Sequence, residues 1–267
     1  MGEPLVWIDH WGFARDPFAE LDSTYVPLPS HDEAVARLVH TIETSRRLIV
    51  FSAQAGLGKT TVLKKALAET KNPRRRFASI TCPPDGTLLF TMLAERLGNR
   101  LGRESDRLKS WRALDRSIRV ASLQGTHVVL VIDDCQQLPT GAARRDLDFL
   151  AHLGTIASAD LTIVQVARPD LDRPSDSNDS WMLAVGLEPL TRSQVECYLT
   201  TKLGAVGCTE PIFTPRAITR LQAISEGVPR GIQQIASLSL MAGAVRGLEM
   251  VPPDVVDGVA TQLSATR

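Results

Sequence analysis

Two kinds of apolar pattern alternate along the first two thirds of the chain. Short apolar runs typical of buried strands are found at 48–51, 77–82, 128–132 and 161–167. Segments with apolar residues at helical spacing are found at about 32–45, 60–69, 86–98, 110–125 and 144–158. Strands of this kind that alternate with helices favour a parallel sheet covered by helices on both faces, so the predicted fold class is α/β. Ser30 and Glu33 form a capping-box pattern that predicts the start of the first helix.

The pattern changes near residue 188, after which only helical spacing recurs. Thr191 and Thr214 begin two capping patterns and are predicted to start two helices. Two more helices are predicted at about 230–246 and 252–263.

These patterns predict two domains. The first is an α/β core with an N-terminal extension, over residues 1–188, and the second is an all-helical domain over 189–267. The segment 168–180, rich in Pro, Asp and Ser, is predicted to be the most loop-like part of the chain.

Composition narrows the class of protein further. The 267 residues carry no net charge, with 43% hydrophobic and 22% charged residues, which is ordinary for a globular protein and excludes a polycation that coats nucleic acid. The four cysteines are scattered and are predicted to be buried free thiols. The first residues lack a signal-peptide pattern, and no apolar stretch reaches the roughly 18 residues of a membrane span. A cytoplasmic location is therefore the expectation.

The stretch "SAQAGLGKTT", Ser52–Thr61, nearly matches the phosphate-binding pattern G-x-x-x-x-G-K-[ST], with Ala53 in place of the first glycine. A phosphate cradle needs converging backbone N–H groups and small residues, which Gly56 and Gly58 supply. In this pattern the lysine reaches the β and γ phosphates and the next hydroxyl binds Mg²⁺. The predicted nucleotide-binding residues are Ala53, Gln54, Ala55, Gly56, Leu57, Gly58, Lys59, Thr60 and Thr61.

Two carboxylates directly follow the most apolar predicted strand, Val128–Ile132. Asp133 stands where a Walker B carboxylate reaches the magnesium shell, and Asp134 stands where hydrolysing ATPases of this kind usually carry Glu. Paired acidic residues at a strand end are common by themselves. Together with the upstream loop they predict a Mg-ATP site, with Thr60 and Asp133 as the magnesium ligands.

With these motifs in place, the chain resembles the AAA+ ATPases of the ExeA type (general secretion pathway protein A), which are related to the transposition ATPases MuB, TniB and TnsC. The resemblance runs from "GFARDPFAELDSTYVPLPSHDEAVARL" through "AGLGKTT", "LVIDDCQQL", "VARPDL" and "LEPLTRSQVECYLTTKLGAVG" to "FTPRAITRLQAISEGVPRGIQQIASLSLMAGA". It implies a P-loop NTPase (AAA+) core followed by a helical lid.

The resemblance also implies roles for individual residues. Lys59, Thr60 and Asp133 would hold Mg-ATP, and Asp134 would orient the attacking water. Arg230 in "GVPR" would be the sensor 2 arginine that contacts the γ-phosphate, as a catalytic and nucleotide-binding residue. The sensor 1 position falls on Arg168.

Three departures from the family pattern bear on turnover. Ala53 replaces a glycine, Asp134 is one methylene shorter than Glu, and Ser180 stands where relatives carry an arginine. Arg168 and Arg173 are the nearest substitutes for an arginine finger acting on a neighbouring subunit. The expected partners are therefore ATP and either further copies of this chain or another protein that supplies an arginine.

The sequence favours an ATPase that couples ATP hydrolysis to the assembly or remodelling of a partner complex. One alternative is an ATP-dependent DNA-binding assembly factor of the transposition-targeting type, supported by the basic clusters Arg74–Arg76 and Arg144–Arg145. Another is a nucleotide-gated switch with little hydrolysis, favoured by Asp134 and Ser180.

Overall fold

The structure, a computed structural model, describes residues 6–19, 25–44, 48–83, 88–102, 106–137, 145–147, 149–150, 160–169 and 182–265. The chain divides into two compact units. The sheet unit comprises Glu33–Ala55 and Val62–Leu187, and the helical unit comprises Met1–Asp32, Gly56–Thr61 and Glu188–Arg267.

In chain order the strands are β1 (Leu48–Ser52), β2 (Arg75–Thr81), β3 (His127–Asp133), β4 (Leu161–Ala167) and β5 (Met182–Gly186). The helices with defined bounds are α1 (Val6–His10), α2 (Pro29–Glu43), α3 (Lys59–Glu69), α4 (Leu89–Arg96), α5 (Arg107–Leu123), α6 (Arg192–Gly204), α7 (Pro215–Ser225), α8 (Pro229–Val245) and α9 (Pro253–Ala265).

The sheet unit is built on five parallel strands in the order β2-β3-β4-β1-β5. The central strands β3 and β4 are buried along almost their whole length, which explains why their sequences are apolar at nearly every position. Helices α4 and α5 pack against this sheet through Leu93, Leu114 and Ile118. The predicted α/β parallel-sheet class is confirmed.

Helices α4 and α5 are each followed by a glycine with positive φ, at the predicted helix ends 98 and 125. Gly98 has φ 96° and Gly125 has φ 65°, a region that glycine enters at little cost. Helix α5 begins three residues before the predicted start, because the Asp106 side chain accepts a hydrogen bond from the Leu108 N–H and caps it.

The helical unit has its own apolar core, to which the N-terminal segment contributes. Trp7, Phe13 and Leu28 are buried in one cluster with residues of α6 to α9. The Trp11 indole N–H donates to the Leu240 carbonyl at 2.9 Å. The N-terminal extension, which the sequence prediction grouped with the core, thus packs with the C-terminal helices.

The predicted caps of two C-terminal helices are confirmed. At α6 the Thr191 hydroxyl accepts from the Gln194 N–H and the Gln194 side chain accepts from the Thr191 N–H, a complete capping box. At α7 the Thr214 hydroxyl accepts from the Ala217 N–H at 3.2 Å, and Pro215 occupies the first turn.

Two sequence predictions differ from the structure. The capping box at Ser30 is not formed, because α2 already begins at Pro29 and the Asp32 N–H donates to the Leu28 carbonyl. Strand β5 was not predicted. It pairs only with β1 at the sheet edge, and Val185 is its one buried residue, so it lacks the apolar run that marks β3 and β4.

The four cysteines are free, and two of them are buried as predicted. Cys82 and Cys135 lie in the interior of the sheet unit, whereas Cys197 is exposed and Cys208 is half-buried. A hydrogen bond with Cys82, together with burial, raises the pKa of the Cys135 thiol.

Candidate nucleotide-binding site

The loop between β1 and α3 begins at Ala53, the residue that replaces the first glycine of the phosphate-binding pattern. Ala53 is buried, and its N–H donates to the Ala167 carbonyl at the end of β4. The non-glycine residues with positive φ in the described part of the chain are Asp134 and Glu226, so Ala53 has an ordinary backbone conformation. A methyl group is therefore tolerated here without strain.

The two remaining glycines of the loop have conformations that favour glycine. Gly56 has φ 85° and Gly58 has φ 90°. A Cβ on Gly56 would lie 2.9 Å from Cγ1 of Val228 and 3.0 Å from Cβ of Arg230. The loop therefore needs glycine for its backbone angles and also for the space around it.

Helix α3 starts within the phosphate-binding pattern. Lys59 is its first residue and is half-buried, while Thr60 follows it with an exposed side chain. The first turn contains no acidic residue. The first N–H groups of a helix and the positive end of its dipole favour an anion, as the sequence pattern predicts.

Two carbonyl groups of the loop accept hydrogen bonds from residues outside the motif. The Arg230 backbone N–H donates to the Gly56 carbonyl at 3.2 Å. His31, in the first turn of α2, places Nε2 3.0 Å from the Leu57 carbonyl oxygen. A Cβ on Gly58 would lie 3.2 Å from the same nitrogen, so the imidazole also packs closely on the loop.

The environment of His31 favours a neutral ring. Burial lowers its pKa below the ordinary value, while the Leu57 carbonyl and the neighbouring Asp32 act in the opposite direction. His31 was not among the predicted site residues. The only feature of the sequence that pointed to this residue was its place in "SHDEA", which is part of one of the segments that carry the family resemblance.

Arg230 is held close to the loop by the start of α8. The turn before it contains Gly227, with φ 72°, and Pro229 occupies the first helical turn. The Gly227 carbonyl accepts from the Leu190 N–H at 2.8 Å. The arginine side chain itself is exposed. The helical unit therefore brings the predicted sensor 2 residue next to Gly56.

The two acidic residues at the end of β3 are joined by a local hydrogen bond. Asp133 is the last strand residue, and its Oδ1 accepts from the Asp134 N–H at 2.8 Å. Asp134 has φ 57°, in the left-handed region, and its Oδ1 accepts from the Gln136 side-chain amide at 2.8 Å. Both residues are half-buried. A non-glycine residue in this conformation is typical of turns and functional sites.

The sheet places three predicted site residues at one edge. Ala53, Asp133 and Arg168 lie at the carboxyl ends of β1, β3 and β4, which are parallel and therefore end on the same side. Ligands of open parallel sheets bind at this edge. Arg168 is exposed. Arg173 and Ser180, on which the arginine-finger prediction depends, lie outside the described residues.

Two arginines of the predicted DNA-binding cluster have structural contacts. The Arg75 guanidinium donates to the Thr70 carbonyl, and the Arg76 guanidinium donates to the Leu97 carbonyl at 2.9 Å. These carbonyls lie just beyond the ends of α3 and α4, where cations stabilise the helix termini. Arg74 and Arg145 are exposed, and Arg144 lies outside the described residues.

A strand-loop-helix phosphate cradle at the carboxyl edge of a parallel sheet, followed by a carboxylate on a distant strand, defines the class of P-loop nucleotide-binding proteins. Comparisons place the chain within this class. Residues 42–173 match the family model described as AAA domain. The chain is 28% identical to general secretion pathway protein A of Aeromonas hydrophila over 98% of its own length, and it spans 49% of the length of that relative. These two matches support the resemblance to AAA+ proteins of the ExeA type.

Solved structures support the same fold. Cdc6p from Pyrobaculum aerophilum is similar with a TM-score of 0.71 and 19% identity, over 92% of this chain and 70% of that one. Drosophila ORC bound to DNA is similar with a TM-score of 0.73 and 15% identity, over 95% of this chain and 66% of that one. At these identities the likeness concerns the fold alone.

Among the residues that the structure describes, no helix combines the length and apolar character needed to span a bilayer.

Proposed function

We propose that this protein binds Mg-ATP and hydrolyses it to ADP and phosphate. The observation that carries the proposal is the loop between β1 and α3. Its glycines at 56 and 58 have positive φ angles and closely packed surroundings, and it leads directly into an acid-free helix N-terminus at Lys59. Such a loop is built to present backbone N–H groups to an anion.

The proposed roles follow the positions of the side chains. Lys59 and the N–H groups of the loop bind the β and γ phosphates, and Arg230 contacts the γ-phosphate. Thr60 and Asp133 are hard oxygen ligands of the kind that hold Mg²⁺, which would neutralise charge on the phosphates. Asp134 orients the attacking water, and Arg168 serves as the polar sensor 1 residue. Catalysis of this reaction consists of positioning and charge stabilisation.

The carboxylate roles are tested by two matched substitutions. Asp133→Asn is expected to weaken Mg²⁺-dependent ATP binding about tenfold, because it removes a charged ligand. Asp134→Asn is expected to leave ATP affinity within about twofold and to lower phosphate release at least tenfold. Calorimetry and a phosphate-release assay measure the two effects. Turnover at the parent rate in Asp134→Asn contradicts the water-orienting role.

We further propose that an arginine from a second copy of the chain, or from a partner protein, completes the site, and that turnover serves the assembly or remodelling of a partner complex. An absent arginine finger lowers the rate of phosphoryl transfer by several orders of magnitude. If the arginine comes from a partner protein, phosphate release by the isolated protein is slow and nearly independent of protein concentration. Brisk hydrolysis that rises steeply with concentration contradicts the need for a separate partner and favours a finger between copies.

A second candidate function is ATP-dependent binding to DNA, and one feature of the sheet unit favours it. On α5, Lys109, Arg112, Arg116 and Arg119 are exposed and recur at intervals of three or four residues, so they form one basic stripe. Arg119 pairs with Asp115 at 2.9 Å. Among the described residues, no ion pair involves the other three members of the stripe. One structural neighbour, Drosophila ORC, is bound to DNA.

The stripe is tested by removing two of its charges. Arg112→Ala with Arg116→Ala is expected to weaken binding to a fluorescent DNA duplex and to reduce the slope of log affinity against log salt by about two. Lys64→Ala with Lys71→Ala removes the same charge from other exposed positions and is the control. Fluorescence anisotropy at several salt concentrations measures both. Equal losses in the two double variants contradict the role of the stripe, and no binding by the parent protein rules out this candidate function.

A further inference from the structure

Two consecutive peptide groups of the phosphate loop are held by their carbonyl oxygens. The Gly56 carbonyl accepts from the Arg230 N–H at 3.2 Å, and the Leu57 carbonyl lies 3.0 Å from His31 Nε2. Both donors belong to the helical unit, as does the loop segment Gly56–Thr61. The loop conformation is therefore fixed from outside the phosphate-binding motif.

Holding a carbonyl also fixes the direction of an N–H group. A trans peptide is planar, with its C=O and N–H pointing in opposite directions, and the described chain contains no cis peptide. The Gly56 carbonyl shares its peptide with the Leu57 N–H, and the Leu57 carbonyl shares its peptide with the Gly58 N–H. Each anchored carbonyl therefore directs the N–H of its own peptide away from the residue that holds it.

The hydrogen-bond partners of His31 indicate which ring nitrogen carries the hydrogen. A carbonyl oxygen only accepts, so Nε2 must carry the hydrogen. Nδ1 lies 3.4 Å from the Ser30 hydroxyl, which donates to it when the ring is neutral. The ring is 6% exposed, so water has little access to replace it as the donor to Leu57.

We propose that His31 is a positioning residue for the phosphate cradle. By holding the Leu57 carbonyl, His31 orients the Gly58 N–H toward the bound phosphates. This inference rests on the proposed ATP binding, since it assigns a role within that same site. His31 touches neither the nucleotide nor the reacting atoms in this account. It acts through the backbone of the loop.

The first test examines the loop without nucleotide. Labelling leucine carbonyls with ¹³C and glycine nitrogens with ¹⁵N selects the five Leu-Gly peptides of the chain, of which Leu57-Gly58 is one. His31→Leu removes the donor and is expected to shift the Leu57 carbonyl and Gly58 amide signals and to broaden them. His31→Gln keeps an N–H donor at about the reach of Nε2 and is expected to restore the parent signals. The Leu203-Gly204 peptide of α6 is the internal control, and its signals are expected to stay unchanged.

The second test measures the consequence for binding. His31→Leu is expected to weaken Mg-ATP binding about tenfold in calorimetry, and His31→Gln to stay within about threefold of the parent. Thermal unfolding of both variants separates a loss of stability from a loss of affinity. A folded His31→Leu variant with parent affinity overturns the proposal, and so does a Gln variant as weak as the Leu variant.

The two tests also separate this inference from the function on which it rests. If the parent protein does not bind Mg-ATP, the proposed function fails, whereas the carbonyl signal still reports whether His31 holds the loop. An unchanged Leu57 signal in His31→Leu overturns the positioning role whatever the protein binds.

Discussion

Replacing Lys59 with alanine is expected to abolish measurable Mg-ATP binding, with a loss of about 100-fold or more in affinity. Lys59 is the first residue of α3, directly after the loop with the two positive-φ glycines, and its ammonium is the cation that this pattern directs to the phosphates. Calorimetry in the presence of Mg²⁺ measures the loss.

The control for this substitution lies on the same helix. Lys64 is exposed on α3, and Lys64→Ala removes the same charge five residues further along. Its ATP affinity is expected to match that of the parent. Circular dichroism checks that both variants are folded. If Lys59→Ala binds ATP as tightly as the parent protein, the loop is not an ATP site.

Replacing Gly227 with alanine is expected to destabilise the helical unit by about 3 kcal/mol or more. Gly227 has φ 72°, and a Cβ there would lie 2.3 Å from the carbonyl oxygen and 2.8 Å from the nitrogen of Leu190. These are backbone atoms, which cannot rotate away from the new methyl group. The Leu190 N–H also donates to the Gly227 carbonyl, so the two segments can move apart only if this hydrogen bond breaks. Thermal and urea unfolding measure the loss.

A matched glycine separates the steric effect from the effect of backbone angle. Gly247 has φ 65°, and a Cβ there would meet nothing within 4 Å. Gly247→Ala is therefore expected to lower the free energy of unfolding by about 1 kcal/mol, because alanine is less stable than glycine in the left-handed conformation. If the two variants lose the same stability, the contact with Leu190 does not constrain the turn before α8.

Much of the fold follows from local sequence, because the signals are local. The apolar runs of β1 to β4, the caps at Thr191 and Thr214 and the glycines that end α4 and α5 each depend on a few neighbouring residues. Strand β5 escaped prediction because an edge strand with one buried residue has no continuous apolar run.

The parts that sequence did not reveal depend on contacts between distant residues. His31 and the Leu57 carbonyl are 26 residues apart, and no short pattern states that such a pair will meet. The basic run Arg74–Arg76 at the start of β2 suggested a DNA contact, yet Arg75 and Arg76 bind carbonyls near helix ends. A run of charges does not specify whether acceptors of this kind lie within reach. The residue roles at the ATP site stay predictions.

The left-handed backbone at position 134 favours a short acid. Asp134 has φ 57°, a region whose non-glycine occupants are enriched in Asn and Asp, with short side chains that bond locally. Its Oδ1 accepts from the Gln136 side-chain amide, a local bond that the added methylene of a Glu would displace. Glu226 has φ 53°, so this backbone region also admits a Glu. The shorter acid at position 134 thus suits the local backbone without being required by it.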